Sequence, residues 1–140
     1  MRLSVFSPKS STQLLIDLGK IYQNYFTEAQ LTPEALQALV EDEGSQLYAT
    51  MFNERHLGAV QVTITDTQAQ LSLLTIRDLT RRKGIAKNLL KEVEKRLIAK
   101  NINEVTMSLT EIKEEEKQGL KLFMASCGYQ LKNDTFYKYL

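Results

Sequence analysis

The stretch Leu71–Leu90, LSLLTIRDLTRRKGIAKNLL, decides how this chain is read. An apolar, β-branched run, Leu73-Leu74-Thr75-Ile76, has the composition of a strand and ends in a short polar turn. The turn carries Arg81-Arg82-Lys83-Gly84-Ile85-Ala86 and opens at once into an amphipathic helix. Ile85, Leu89, Val93 and Leu97 repeat every four residues with Leu90 beside them, a core-facing stripe that predicts a helix to about Lys100. A strand feeding a glycine-containing loop at a helix N-terminus is an anion site. The first backbone N–H groups of the helix lack internal partners, and the helix dipole places roughly half a positive charge there. Gly84 and the small Ala86 let the backbone approach a phosphate closely, and three cations in one turn raise the local positive potential. The turn is therefore expected to cradle a pyrophosphate.

Outward from this segment the elements alternate. Residues 2–6 (RLSVF) read as a short strand, closed by Pro8. From Thr12 to about Phe26, Leu15, Leu18, Ile21, Tyr22 and Tyr25 fall at helical spacings. Thr32-Pro33-Glu34 supplies a cap, a proline for the first turn and an early acid, so a second helix is expected to run to about Glu41. Three strands follow, at roughly 46–52, 57–64 and 69–76, joined by the short polar connections Asn53-Glu54-Arg55-His56 and Thr65-Asp66-Thr67-Gln68, which favour antiparallel hairpins. After the basic turn and its helix, Asn103 to Leu109 reads as a strand and Glu111 to about Cys127 as a helix with acids at its start. Tyr129 to Leu131 and Thr135 to Tyr139 form a last pair of strands. The predicted order is β-α-α-β-β-β-α-β-α-β-β, an α/β (α+β) fold with a mixed sheet covered by helices, in a single domain over residues 1–140.

Composition bounds the function. Of 140 residues, 43% are hydrophobic and 25% charged, as in an ordinary globular domain. A net charge of +1 argues against a nucleic-acid partner, whose binding domains are far more basic. No apolar run approaches the ~20 residues that span a bilayer, and residues 1–11, MRLSVFSPKSS, lack the apolar core of a secretory signal. The one cysteine, Cys127, rules out an internal disulfide and suits a cytoplasmic location. No metal ligand set is expected: His56, the only histidine, has no Cys/His/acid cluster around it and reads as a surface turn residue. Cys127 is expected to pack at a helix end, Glu114–Glu116 to form a solvated face, and Tyr22, Tyr25 and Tyr48 to build core and groove wall.

The element order, with Arg81-x-x-Gly84-x-Ala86 between the third meander strand and the next helix, resembles the GNAT superfamily of N-acetyltransferases, in which Q/R-x-x-G-x-G/A binds the pyrophosphate of acetyl-CoA. Leu122 to Tyr129 is similar to that family's helix ending in a Gly-aromatic pair. More narrowly, Ile16-Asp17-Leu18-x-Lys20-Ile21, Leu47-Tyr48-Ala49, Phe52-Asn53-Glu54-Arg55, Ala59-Val60-x-Val62-Thr63, Thr80 to Gly84 and Phe123-Met124 resemble the PanZ (PanM) subfamily over nearly the whole chain. That resemblance implies an acetyl-CoA- or CoA-binding regulator. Such proteins bind the aspartate 1-decarboxylase zymogen and promote its self-cleavage to the pyruvoyl form, regulating β-alanine and pantothenate synthesis. It further implies that Leu74, Thr75 and Ile76 hydrogen-bond the pantetheine arm. Thr80, Arg81, Arg82, Lys83, Gly84, Ile85, Ala86 and Lys87 would wrap the pyrophosphate, and Asn53 would face the decarboxylase. The pattern departs at Met51, two residues before Asn53, where the relatives carry arginine, and segment 27–46 is longer than theirs.

The alternative function is an N-acetyltransferase acting on an amine of a small molecule or protein. Such transfer needs a group to return a proton to the departing thiolate. In many family members a tyrosine four residues before the Gly-aromatic pair does this; here the position is Met124, and no catalytic residue is assigned. Tyr129, Tyr137 and acids near the second meander strand are the candidate substitutes.

Overall fold

A computed structural model describes residues 3–77, 83–110 and 112–140. The chain runs β1 (Ser4–Phe6), α1 (Thr12–Ile21), a 3-10 turn (Glu28–Gln30), α2 (Pro33–Val40), β2 (Gln46–Phe52), β3 (Arg55–Thr65), β4 (Gln68–Ile76), α3 (Lys83–Ala99), β5 (Glu104–Ser108), α4 (Glu114–Ser126), β6 (Gln130–Lys132) and β7 (Thr135–Tyr139). This is the expected mixed α/β order. One seven-stranded sheet takes the order β1-β2-β3-β4-β5-β7-β6. Its pairs are antiparallel except β4 with β5.

Strand alternation divides the core between the two faces. Leu47 and Ala59 point to one side, where they meet Leu14, Leu18, Ile21 and Tyr22 of α1 and Leu36 of α2. Tyr48, Val60 and Val62 point to the other, against Leu89, Leu90, Val93 and Leu97 of α3 and Met124 of α4. The four-residue stripe of α3 is therefore buried as expected, each such side chain contributing roughly 1.5–3 kcal/mol of transfer free energy. The helix starts are chemically marked. The Ser11 hydroxyl accepts from the Leu14 N–H at 3.1 Å, and Thr32 accepts from Ala35 at 3.2 Å ahead of Pro33.

Helix ends differ from expectation. The regular ladder of α1 stops at Ile21 rather than Phe26, and the Tyr22 carbonyl accepts the N–H groups of both Tyr25 and Phe26 at 2.9 Å. The Tyr22 and Phe26 rings stack with centroids 4.7 Å apart, so apolar packing continues where the helix does not. At the other end of the chain α4 begins at Glu114, after a turn in which the Ile112 N–H bonds the Leu109 carbonyl. Glu111 lies outside the described residues.

Candidate functional site

β4 pairs with β5 over Gln68–Leu71, opposite Glu104–Met107, and beyond Leu71 the two strands part. The cause is a distortion in β4. Leu73 has φ of 55°, a left-handed conformation uncommon for leucine, and the β3–β4 register shifts between Ala59 and Gln61. Tyr22 braces the distortion by donating its phenolic O–H to the Leu73 carbonyl at 2.8 Å. Complete burial, with Tyr25 adding to it, pushes the Tyr22 pKa well up, so the phenol remains a neutral donor.

The parting strands open a cleft of about 520 Å³. Leu74, Thr75 and Ile76 of β4 form one wall, Ile21, Asn24 and Tyr25 a second, and Gly119, Leu120 and Phe123 of α4 a third, with Ala86 of the first turn of α3 completing the lining. A notch of about 60 Å³ lies at the apex, between Leu71, Leu73, Met107 and Ser108. Past Leu71, β4 turns toward this space an edge that β5 does not pair, to which an extended amide-bearing chain could add as a further strand.

Two glycines report on what the cleft can take. Gly84 is in α3 and Gly119 in α4, neither has a left-handed φ, and among the described residues a Cβ built at either meets nothing within 4 Å. Helix-interior glycine costs roughly 0.5–1 kcal/mol relative to alanine. Neither chain conformation nor internal packing requires it at these positions. A molecule lying against the helix backbone would. Gly119 escaped the sequence reading; its signal was a glycine amid the helix-favouring run Glu114–Met124.

The expected phosphate-binding residues fall as follows. Gly84 and Lys87 are exposed and Ala86 half-buried at the start of α3, whereas the Ile85 side chain is 2% exposed, packed inward, leaving its backbone to serve a ligand. Thr80, Arg81 and Arg82, and the side chain of Lys83, lie outside the described residues. Among proton donors, Tyr129 is turned away from the cleft: it is buried and donates to Glu94 at 2.8 Å. Burial and then the Glu94 charge push its pKa far up. Tyr137 donates to Gln130 at 2.7 Å, on the outer hairpin. Met124 is fully buried in the core, and it is the adjacent Phe123 that reaches the cleft. Neither has a proton to give. Tyr25 is the tyrosine among the lining residues.

His56 corrects the sequence reading. It was expected in a surface turn, but the β2–β3 turn has only two residues, Asn53 and Glu54, with φ of 50° and 62°. That tight left-handed pair lets β3 start at Arg55 and puts His56 opposite Met51 in the ladder, 4% exposed. Its backbone N–H and its Nδ1 lie 2.9 and 2.8 Å from Asp17 Oδ2. Arg55 donates to Asp17 Oδ1 from Nε and Nη2 at 3.0 and 2.9 Å, and Gln13 Nε2 donates at 2.9 Å. Burial alone would raise the Asp17 pKa. The hydrogen bonds from His56, Arg55 and Gln13 outweigh it and hold the carboxyl at about 2, below its usual 3.8. Asn53 and Glu54 are exposed and Met51 half-buried, at the end of the sheet where β4 runs out toward α3. No group of three or more His, Cys, Asp or Glu among the described residues could hold a metal. No described helix is long and apolar enough to cross a membrane.

Comparison with known proteins agrees with this geometry. A family model described as "Acetyltransferase (GNAT) domain, PanZ" matches residues 3–137. A PanD regulatory factor of Salmonella typhimurium is 34% identical over 138 residues, covering 99% of this chain and 95% of the relative. A PanD regulatory factor of Escherichia coli is 40% identical over 94 residues, 66% of this chain and 67% of the relative. Among solved structures, an N-acetyl transferase of E. coli bound to coenzyme A superposes with a TM-score of 0.79 at 31% identity over the whole of both chains. An N-acetyltransferase of Thermoplasma acidophilum in complex with coenzyme A shares the fold, with a TM-score of 0.73 at 17% identity over the whole of both chains. With its meander, its parted strands and a family match over nearly its full length, the chain belongs to the PanZ family of GNAT acetyltransferase domains.

Proposed function

We propose that this chain binds coenzyme A or acetyl-CoA in the β4–β5 cleft and, so loaded, binds the aspartate 1-decarboxylase zymogen and promotes its self-cleavage to the pyruvoyl form. Leu74, Thr75 and Ile76 take the pantetheine arm along the free edge of β4. The backbone from Thr80 to Lys87 takes the diphosphate, aided by the charges of Arg81, Arg82 and Lys83. Asn53 and Met51 face the decarboxylase, Met51 offering an apolar contact where the family resemblance implies a cation. The observation that carries the coenzyme A part of this reading is the pair of glycines, Gly84 and Gly119, with space free of described residues above two helix backbones beside one cleft. The names of the curated relatives, PanD regulatory factors, and a coenzyme A-bound relative at 31% identity support it.

The deciding experiment mixes the purified protein with uncleaved aspartate decarboxylase, with and without acetyl-CoA, and follows chain cleavage on denaturing gels. Acceleration that depends on acetyl-CoA is expected; no acceleration in either condition overturns the reading. One observation favours the second reading, an N-acetyltransferase: a tyrosine, Tyr25, is among the residues lining the cleft. Thiol release from acetyl-CoA with a panel of amines, lost in Tyr25→Phe, would establish that activity instead.

A further inference from the structure

Asp17 has no place in the cleft, yet it is the most heavily hydrogen-bonded side chain described. It is completely buried and accepts from Gln13, twice from Arg55, from the His56 N–H and from the His56 ring. Four of these five contacts come from the two residues that follow the Asn53–Glu54 turn. Both turn residues are held at positive φ, a region that asparagine enters readily and glutamate seldom, and the strand that follows them is bonded from outside the hairpin by Asp17. The only side chain of α1 that bonds the base of this hairpin is Asp17, among the described residues. One helical turn further along α1, Ile21 lines the cleft, and Tyr22 is separately anchored on the Leu73 carbonyl. The middle of α1 is therefore attached to the hairpin through Asp17 and its C-terminal end to the cleft through Ile21 and Tyr22.

We infer that Asp17 is a positioning residue: through Arg55 and His56 it fixes the Asn53–Glu54 turn in the shape that the protein partner reads. The inference rests on the regulator reading above. It does not involve the cofactor, so its loss separates partner recognition from coenzyme A binding. Replacing the carboxylate by an amide of the same shape, Asp17→Asn, sets an N–H₂ group against the Arg55 guanidinium and Gln13 amide or against the His56 N–H, donors that need an acceptor.

The test uses the full chain and the uncleaved decarboxylase with saturating acetyl-CoA. Asp17→Asn is expected to raise the protein concentration for half-maximal cleavage at least tenfold while coenzyme A affinity by calorimetry stays within twofold. In an Asn53→Ala background, adding Asp17→Asn is expected to change cleavage less than twofold, because the turn is already disabled. An unchanged half-maximal concentration in the single variant overturns the inference. So does an effect that simply multiplies onto that of Asn53→Ala, as a general loss of stability would. Should Asp17→Asn fail to fold, Arg55→Gln removes two of the five donors from a half-exposed side chain and is expected to shift the same curve at least threefold. If the wild-type protein itself gives no acceleration, the regulator reading fails. Amide exchange then decides the brace alone: Asp17→Asn must speed exchange at residues 53–57 tenfold relative to the centre of α3, and equal rates refute it.

Discussion

Replacing Gly84 with alanine should move stability and ligand affinity in opposite directions. Gly84 is the second residue of α3, its φ is not left-handed, and an added Cβ would enter space free of atoms of the described residues to 4 Å. Within the protein the methyl group is harmless and limits the unfolded chain. A helical glycine gives up roughly 0.5–1 kcal/mol to alanine, and the lower figure applies in a first turn. For a chain of this length that raises Tm by about 1–2 °C. Toward a ligand the same methyl group lies where a phosphate would approach the helix N-terminus. Losing one charge-assisted hydrogen bond there costs about 1.5–3 kcal/mol, so coenzyme A affinity falls roughly ten- to hundredfold. Calorimetric titration with coenzyme A, and in parallel with pantetheine, which has no diphosphate, reads the effect. Coenzyme A binding should weaken and pantetheine binding should not. If Gly84→Ala binds coenzyme A within threefold of the wild type while its Tm rises, the diphosphate is not seated on this turn.

Three further outcomes follow from the same geometry. Gly119→Leu adds a side chain to the cleft from α4 at a position where a Cβ meets no described residue within 4 Å, and should retain or raise Tm while lowering coenzyme A affinity at least tenfold; undiminished affinity in calorimetry contradicts the placement. At Gly58 an added Cβ would press on Ile76 Cδ1 and come within 3.0 Å of the Thr75 carbonyl, so Gly58→Ala should cost about 1–3 kcal/mol in urea unfolding and push Ile76 into the cleft; an unchanged midpoint would show that β3 can shift freely there. The Asp17 carboxyl titrates lower folded than unfolded, so its contribution is complete above about pH 4 and disappears as the pH falls toward 2. From 3.8 to about 2 this amounts to about 2 kcal/mol, and Asp17→Asn should flatten the acid limb of Tm against pH between 5 and 2; parallel limbs for both proteins would refute the assignment.

What could be read from the sequence was whatever has a local period or a local stop signal. The α3 stripe at Ile85, Leu89, Val93 and Leu97, the three meander strands and the last pair of strands were legible because neighbours in sequence determine them. The role proposed for Leu74–Ile76, the free edge of β4, comes through family resemblance, and the structural cause of that edge, a left-handed Leu73 held by a tyrosine 51 residues earlier, has no local signature. His56 was misplaced because Asn53-Glu54 is not the Asn-Gly that announces a two-residue hairpin, so the turn was taken two residues too long. The Asp17 brace joins residues 38 and 39 apart in sequence, a distance at which no spacing rule operates. On α4, position 124 was correctly judged to lack a proton, but the side chain that meets the cleft is Phe123, and only packing decides which side of a helix faces inward.

The short parallel ladder between β4 and β5 has a bearing on the protein's persistence in the cell. Four register pairs join a four-strand half to a three-strand half of the sheet, so between these halves the described strands are held by one short ladder. A ligand lying beside that ladder grips both halves, and mass action then adds its binding free energy to the folded state alone. A cell rich in such a ligand would keep more of the chain intact against proteases, and starvation for it would thin the population without any change in synthesis.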